Sequence, residues 1–278
     1  MNPKAGAVTR VRIVDAFTER PFSGNPAGVV RLDDRPQPPP DSWCAAIAAE
    51  LNLPETAFLS RTEEAGADFR LRWFTPAVEV ELCGHATLAA ARCLLDDGVP
   101  GPIRFDTRSG ILTVAEEGDV LVLDFPARPP VQIEAPDGLV TALGVQPQWV
   151  GAGGSDFMVR VATSDEVRGL RPDLAAIATL PVRGVMVTAP SDEPDADFVS
   201  RFFAPSVGVQ EDPVTGSAHT VLGPYWAGEF GRTELTGRQL SARGGSIGIR
   251  LHGDRVELTG RAVVMLDGQF TEPAAAPA

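Results

Sequence analysis

Phe74-Thr-Pro-Ala-Val-Glu-Val80 and Phe203-Ala-Pro-Ser-Val-Gly-Val209 share Phe, Pro and both Val at an offset of 129 residues. Self-similarity over such a distance bears on the architecture before any local pattern does, because it makes one half of the chain a copy of the other. Working outward, Gly84-His85-Ala86 matches Gly216-Ser217-Ala218 at an offset of 132. Arg108-Ser-Gly110 with Gly118-Asp119 then matches Arg243-Gly-Gly245 with Gly253-Asp254 at 135. Each match is weak alone. Their collinear order, with the offset drifting only by small insertions, points to an internal duplication within the 278 residues.

Between these anchors the apolar pattern has period two. Ile111-Leu-Thr-Val114, Val120-Leu-Val-Leu123, Ile247-Gly-Ile249 and Val256-Glu-Leu258 are short runs bounded by Gly and Asp. That is the pattern of antiparallel hairpins, turned at Gly118-Asp119 and Gly253-Asp254. Three stretches read as helical: residues 41–50 with Asp41 as candidate cap, and residues 87–95 and 220–226 after the repeated glycines, the second interrupted by Gly223-Pro224. A helix of Ala, Leu and Cys on every side belongs inside its sheet. The expected fold class is α+β: two pseudo-symmetric domains, residues 1–127 and 128–278, each an antiparallel-rich sheet curled around a central α-helix. The linker is expected near Pro126-Ala-Arg-Pro-Pro130.

Composition narrows the function classes. Hydrophobic residues at 44% and charged residues at 22% place the chain among ordinary globular proteins. Lys and Arg number 24 against 37 Asp and Glu, a net charge of −13 that repels phosphate backbones and anionic lipid, so neither nucleic acid nor membrane is an expected partner. Cys44, Cys83 and Cys93 are odd in number and lack a C-x-x-C, which suits a reducing compartment. No start resembling a signal peptide and no long apolar run are present, so a cytoplasmic location is expected. Residues 272–278 read as a disordered tail and residues 35–40 as an extended connector.

The repeated glycines Gly84 and Gly216 stand where helices begin. Unpaired N–H groups and the positive end of the dipole there attract an anion, so two such turns in a duplicated fold would hold a small carboxylate between the halves. Taken singly, each glycine merely permits tight entry into a helix; its recurrence favours the functional reading. His85, His219 and His252 have no metal-ligand spacing with one another or with the cysteines, and Gly151-Ala-Gly-Gly154 lacks the spacing of a dinucleotide fingerprint. No metal and no cofactor are expected.

Several longer motifs follow in order: Val14-Asp-Ala-Phe-Thr18 with Phe22-Ser-Gly-Asn-Pro-Ala-Gly28, Leu51-Asn-Leu-Pro-Glu-Thr-Ala-Phe58, Arg72-Trp-Phe-Thr-Pro76 with Cys83-Gly-His-Ala-Thr87, and Gln210-Glu-Asp-Pro-Val-Thr-Gly-Ser-Ala218. Together they resemble the phenazine-biosynthesis PhzF family over nearly the whole chain. The resemblance implies the diaminopimelate-epimerase-like fold with its active site in the cleft between the halves, a small carboxylate as substrate, a homodimer, and no metal or organic cofactor. In the family's founding enzyme a glutamate moves a proton across a cyclohexadiene carboxylate, and its counterpart here is Glu55. An acid/base isomerase needs one group that donates and accepts in turn, and Leu51, Leu53, Ala57 and Phe58 offer the apolar setting that raises a carboxyl pKa. Without the family match, Glu55 would read as an ordinary loop glutamate. The offset of 129 sets Gly184 against it, so the second half offers no matching carboxylate.

The resemblance also places His85 and Asp212 beside Glu55 in catalysis, and Ser217 with Gly84 and Gly216 in substrate binding. Each of the three side chains equally suits a helix cap or turn. Asn25, between Gly24 and Pro26, reads as a turn residue with a weaker claim on substrate. In related epimerases and racemases two cysteines, one per half, act on opposite faces of an α-carbon. Cys83 occupies the first position and Thr215 the second, so a two-thiol mechanism is not expected; Cys83 is either a reactive thiol at a helix N-terminus or a buried small hydrophobe. Three functional readings result: a cofactor-independent isomerase acting through Glu55, an epimerase-like proton exchange through Cys83, and a metabolite-binding protein without turnover.

Overall fold

In a computed structural model, which describes residues 9–32 and 37–270, the period-two runs form strands and the three apolar stretches form helices. The tail expected at 272–278 and residues 35 and 36 of the connector lie outside the described residues. The chain divides into two compact units, residues 9–22, 26–32, 37–123 and 260–270 making the first and residues 23–25 and 124–259 the second. Relative to a cut at 127, the last strand goes with the first unit and Ser23–Asn25 with the second.

In the first unit the strand Asn25–Arg31 pairs parallel with Glu55–Ser60, which runs antiparallel to Phe69–Phe74. Phe69–Phe74 pairs antiparallel with Glu79–Val80 and parallel with Ile103–Thr107, and a meander through Gly110–Glu117 into Val120–Pro126 completes the series. Thr9–Ala16 pairs antiparallel with Ala262–Phe270. The helix Gly84–Asp96 is buried along most of its length by Ala86, Leu88, Ala89, Ala90, Ala91, Cys93 and Leu94, as an apolar girth requires. A shorter helix, Asp41–Leu51, sets Trp43, Cys44 and Ala48 against Phe58 and Phe74. Its N-cap is Pro40 rather than Asp41; Asp41 is the first helical residue and its carboxylate accepts from Arg72 at 2.8 Å.

The second unit runs through the same succession of pairings. Trp149–Gly153 is antiparallel to Asp156–Arg160, which is parallel to Gly184–Pro190, which is antiparallel to Phe198–Ala204. That last strand takes Val209–Asp212 antiparallel and Glu234–Gln239 parallel, and the meander Gly245–His252 to Arg255–Gly260 follows. Glu55 and Gly184 each open the strand after the parallel crossover, with Ala27 and Asp156 as register partners. Both meanders turn in two residues, with positive φ at Gly118 (64°) and Gly253 (62°), where glycine is free of strain.

The helix Gly216–Phe230 continues through Gly223-Pro224, contrary to the expected interruption. Pro224 removes the N–H that would reach the Thr220 carbonyl, and the backbone N–H of Arg128 donates to that carbonyl instead, at 2.9 Å. Gly223 is needed for packing: a Cβ there would lie 2.8 Å from Cγ2 of Ile249. Trp226 lies between Phe198 and Phe230, with ring centroids 5.8 and 5.1 Å away, and donates its indole N–H to Thr188 Oγ1 at 3.0 Å. No helix among the described residues is long and apolar enough to cross a membrane.

Candidate active site

Local chain geometry places Glu55. The helix Asp41–Leu51 closes on Asn52 in the left-handed region (φ 48°), the chain bends at Leu53-Pro54, where proline disfavours a further helical turn, and Glu55 emerges as the first residue of its strand. Cys83 is the extended N-cap of the helix Gly84–Asp96, and His85 is its second residue. His85 Nε2 lies 3.3 Å from Glu55 Oε2, and Cys83 Sγ lies 3.4 Å from His85 Nδ1. Burial pushes the His85 imidazole down to about 3, so it is neutral near pH 7 and faces Glu55 as an uncharged ring rather than an ion. Glu55 is thus a strand-end carboxylate against a buried ring, not a loop glutamate.

Among the described residues Glu55, Cys83 and His85 are the one grouping of His, Cys and acidic side chains compact enough for a metal ion, with donor atoms within 4.8 Å of one another. Their contacts use opposite ring nitrogens, so a single ion would have to displace either the thiol or the carboxylate from its partner. The row is suited to holding and passing a proton.

The second unit assembles a different group. Asn25 is fully buried and opens a strand, which corrects its reading as a turn residue; its Nδ2 donates to Asp212 Oδ1 at 2.7 Å and to the Val214 carbonyl at 2.8 Å. Thr215 is the N-cap of the helix Gly216–Phe230, yet its hydroxyl makes no capping bond and instead donates to Asp212 Oδ2 at 2.6 Å. Gln239 holds this arrangement from a neighbouring strand. Its Nε2 donates to the Asp212 carbonyl at 2.6 Å and to Thr215 Oγ1 at 3.1 Å, and its Oε1 accepts from the Thr215 N–H at 2.9 Å. Burial pushes the Asp212 carboxyl up to about 6, against the opposing pull of the donors Thr215 and Asn25.

Asp212, Ser217 and His85 are therefore not N-caps, since Thr215 and Cys83 hold those positions. Neither N-cap side chain makes a capping hydrogen bond, and both helices begin at the repeated glycines, whose first-turn N–H groups have no intrahelical acceptor. Ser217 Oγ accepts from Arg183 Nη2 at 3.0 Å. Arg183 is itself clamped by Asp156 at 2.9 and 2.5 Å and stacked on Phe202. Sequence reasoning passed over Gln239, Arg183 and Asp156: none belongs to a local motif, and Gln239 sits in a strand whose alternation marks it only as inward-facing.

Two units of one pairing order, each around a buried helix with an open first turn, make this the diaminopimelate-epimerase-like α+β fold. The fold of a hydroxyproline epimerase from Agrobacterium vitis is similar, with a TM-score of 0.60 over 94% of this chain and 92% of that one at 14% identity, a likeness of fold alone. A PhzF family structure from Enterococcus faecalis matches far more closely, with a TM-score of 0.89 and 37% identity over 95% of this chain and all of that one. An uncharacterised isomerase of Pseudomonas aeruginosa is 50% identical over 264 residues, covering 92% of this chain and 96% of its own. The profile described as phenazine biosynthesis-like protein matches residues 14–268. The chain belongs to the PhzF family of phenazine biosynthesis-like proteins.

Proposed function

We propose that the protein is a cofactor-independent isomerase that moves a proton within a small cyclic or unsaturated carboxylate, with Glu55 as the group that takes the proton and returns it. The observation carrying this reading is the Glu55 carboxylate set against a neutral, buried imidazole at a helix mouth. The isomerase name of the Pseudomonas relative supports the reaction class.

In this scheme Glu55 breaks a C–H bond conjugated to the substrate carboxylate. The electron pair delocalises toward that carboxylate, and the proton returns from Glu55 to a different carbon. Developing negative charge is met by the first N–H groups of a helix, at Gly84 or Gly216, at no reorganisation cost. His85 positions Glu55, while Asp212, Asn25 and Ser217 bind substrate. The family resemblance extends this reading to a homodimer acting in the cytoplasm, and the shared pairing order of the units supports an origin by duplication.

Cys83, in contact with His85, favours a second reading, proton exchange through the thiol. Its counterpart position holds Thr215, whose hydroxyl is committed to Asp212, which leaves no second thiol for opposite-face chemistry. Solvent deuterium exchange into a panel of cyclic and acyclic unsaturated acids and amino acids tests both. Glu55→Gln, nearly isosteric but unable to cycle a proton, is expected to lose at least ~10²-fold in exchange. Full retention by that variant refutes the Glu55 reading, and no exchange across the panel despite carboxylate binding indicates a metabolite-binding protein.

A further inference from the structure

We propose that Cys83 is a positioning residue that works through His85: its S–H donates to Nδ1, which obliges the imidazole to carry its proton on Nε2 and present it to Glu55. The inference rests on the assignment of Glu55 as the proton-moving group.

It follows from the two contacts taken together. Sγ lies 3.4 Å from Nδ1 and Glu55 Oε2 lies 3.3 Å from Nε2, on opposite sides of one ring. A neutral imidazole has a single N–H, so whichever nitrogen donates, the other accepts. Burial keeps this ring neutral, which makes the two contacts interdependent. An ionised Glu55 only accepts, so the proton belongs on Nε2 and Nδ1 becomes the acceptor. The group facing Nδ1 must then be a donor, and Cys83 supplies one as a thiol.

The placement of Cys83 fits this role. As N-cap it stands where Ser, Thr or Asp commonly bonds the helix, but its side chain makes no capping bond and reaches the ring two residues on. Fixing the Nε2–H tautomer sets a donor 3.3 Å from the Glu55 carboxylate, within reach of an interaction that is stronger for an ionised acceptor than for one that has taken the substrate's proton. The contact thus orients the Glu55 carboxylate, with no charge placed on the buried ring.

The tautomer can be read without substrate. In protein labelled with 15N-histidine, long-range 1H–15N spectra distinguish the protonated nitrogen of each ring, and His85 is assigned by its absence in His85→Gln. The expected state of His85 in the wild type is Nε2–H. Cys83→Ala should release that preference, giving a mixture or Nδ1–H, whereas Cys83→Ser, which retains a donor, should keep it. Cys83→Val, with comparable bulk and no donor, repeats the test without leaving a cavity. Unchanged His219 signals serve as the folding control. In the exchange assay, Cys83→Ala should lose about 10- to 100-fold, the range seen when the partner that orients a metal-bound imidazole is removed, and Cys83→Ser should lose far less, within about threefold.

An Nδ1–H tautomer in the wild type, or an unaltered one in both Cys83→Ala and Cys83→Val, overturns the proposal. Equal loss of exchange in the Ser and Ala variants also overturns it, because the thiol itself would then carry the proton. Glu55→Gln exchange separately decides the role of Glu55, so the two ideas fail on different measurements.

Discussion

Asp212 offers a prediction whose magnitude can be worked from its surroundings. Burial raises its carboxyl to about 6 in the folded chain, against about 3.9 for an unperturbed aspartate. Below pH ~4 the group is protonated in both folded and unfolded states, and above ~6 it is ionised in both; between these values the folded state binds more proton. Stability therefore falls as pH rises through this window. About two pKa units at 1.36 kcal/mol each set a ceiling of about 3 kcal/mol, and the partial exposure of Asp212 lowers the expected figure to about 1–3 kcal/mol. Asp212→Asn removes the ionisation. Its amide oxygen can still accept from Asn25, but its NH2 now faces a Thr215 hydroxyl that had been donating, a loss of about 1 kcal/mol that does not vary with pH. The stability of Asp212→Asn relative to wild type should thus improve by about 1–3 kcal/mol between pH 4 and pH 8. Urea midpoints at unit pH intervals, with unchanged m-values, measure it. A difference between the two proteins that stays flat across that range refutes the assignment of a raised carboxyl pKa to Asp212.

Other predictions concern the packing behind the site. Gly223 and Gly228 share one helix yet should respond to alanine with opposite signs. Gly223→Ala drives a Cβ to 2.8 Å from Cγ2 of the β-branched, buried Ile249 and should cost about 1–3 kcal/mol. Gly228→Ala meets nothing within 4 Å and should gain about 0.5–1 kcal/mol from helix propensity. Urea or thermal melts of the two variants settle both. Gln239→Leu keeps the volume but leaves the Thr215 N–H and the Asp212 carbonyl without their partner, so it should cost about 2–4 kcal/mol in the urea midpoint and lower any exchange activity.

The parts of the fold that could be read in sequence were those where a local rule meets no competition. The hairpins at Gly118 and Gly253 combine period-two alternation with glycine at positive φ, and both turns formed in two residues. The Ala- and Leu-rich helix after Gly84 had little beyond Arg92 and Asp96 to offer solvent, so burial of the rest was its stable fate. Misreadings arose where a distant partner overrode a local preference. Asp212 precedes a proline ahead of a helix and so suits a cap or turn, but Thr215 is the N-cap and the Asp212 carboxylate accepts instead from the Thr215 hydroxyl and from Asn25, far away in sequence. Asn25 follows a glycine and precedes a proline, the habit of a turn, yet it lies buried because Asp212 and Val214 accept its amide protons. Glu55 was legible only through family likeness: thirty residues of chain separate it from His85, and no spacing rule predicts that approach.

Pro224 bears on how the chain reaches this state. A helix normally completes its own hydrogen bonds as it forms, but here the i+4 partner of the Thr220 carbonyl is a proline and the carbonyl accepts from Arg128, a residue synthesised long before it. The middle of the helix is therefore finished by a non-local event, the docking of residues 127 and 128, whose N–H groups also include one donated to Asp254. Late consolidation of the helix together with this segment is the kinetic consequence. A helix-strengthening change such as Pro224→Ala would set an intrahelical N–H in competition with Arg128 for the same oxygen, easing early helix growth while loosening the hold on the chain that enters the second unit.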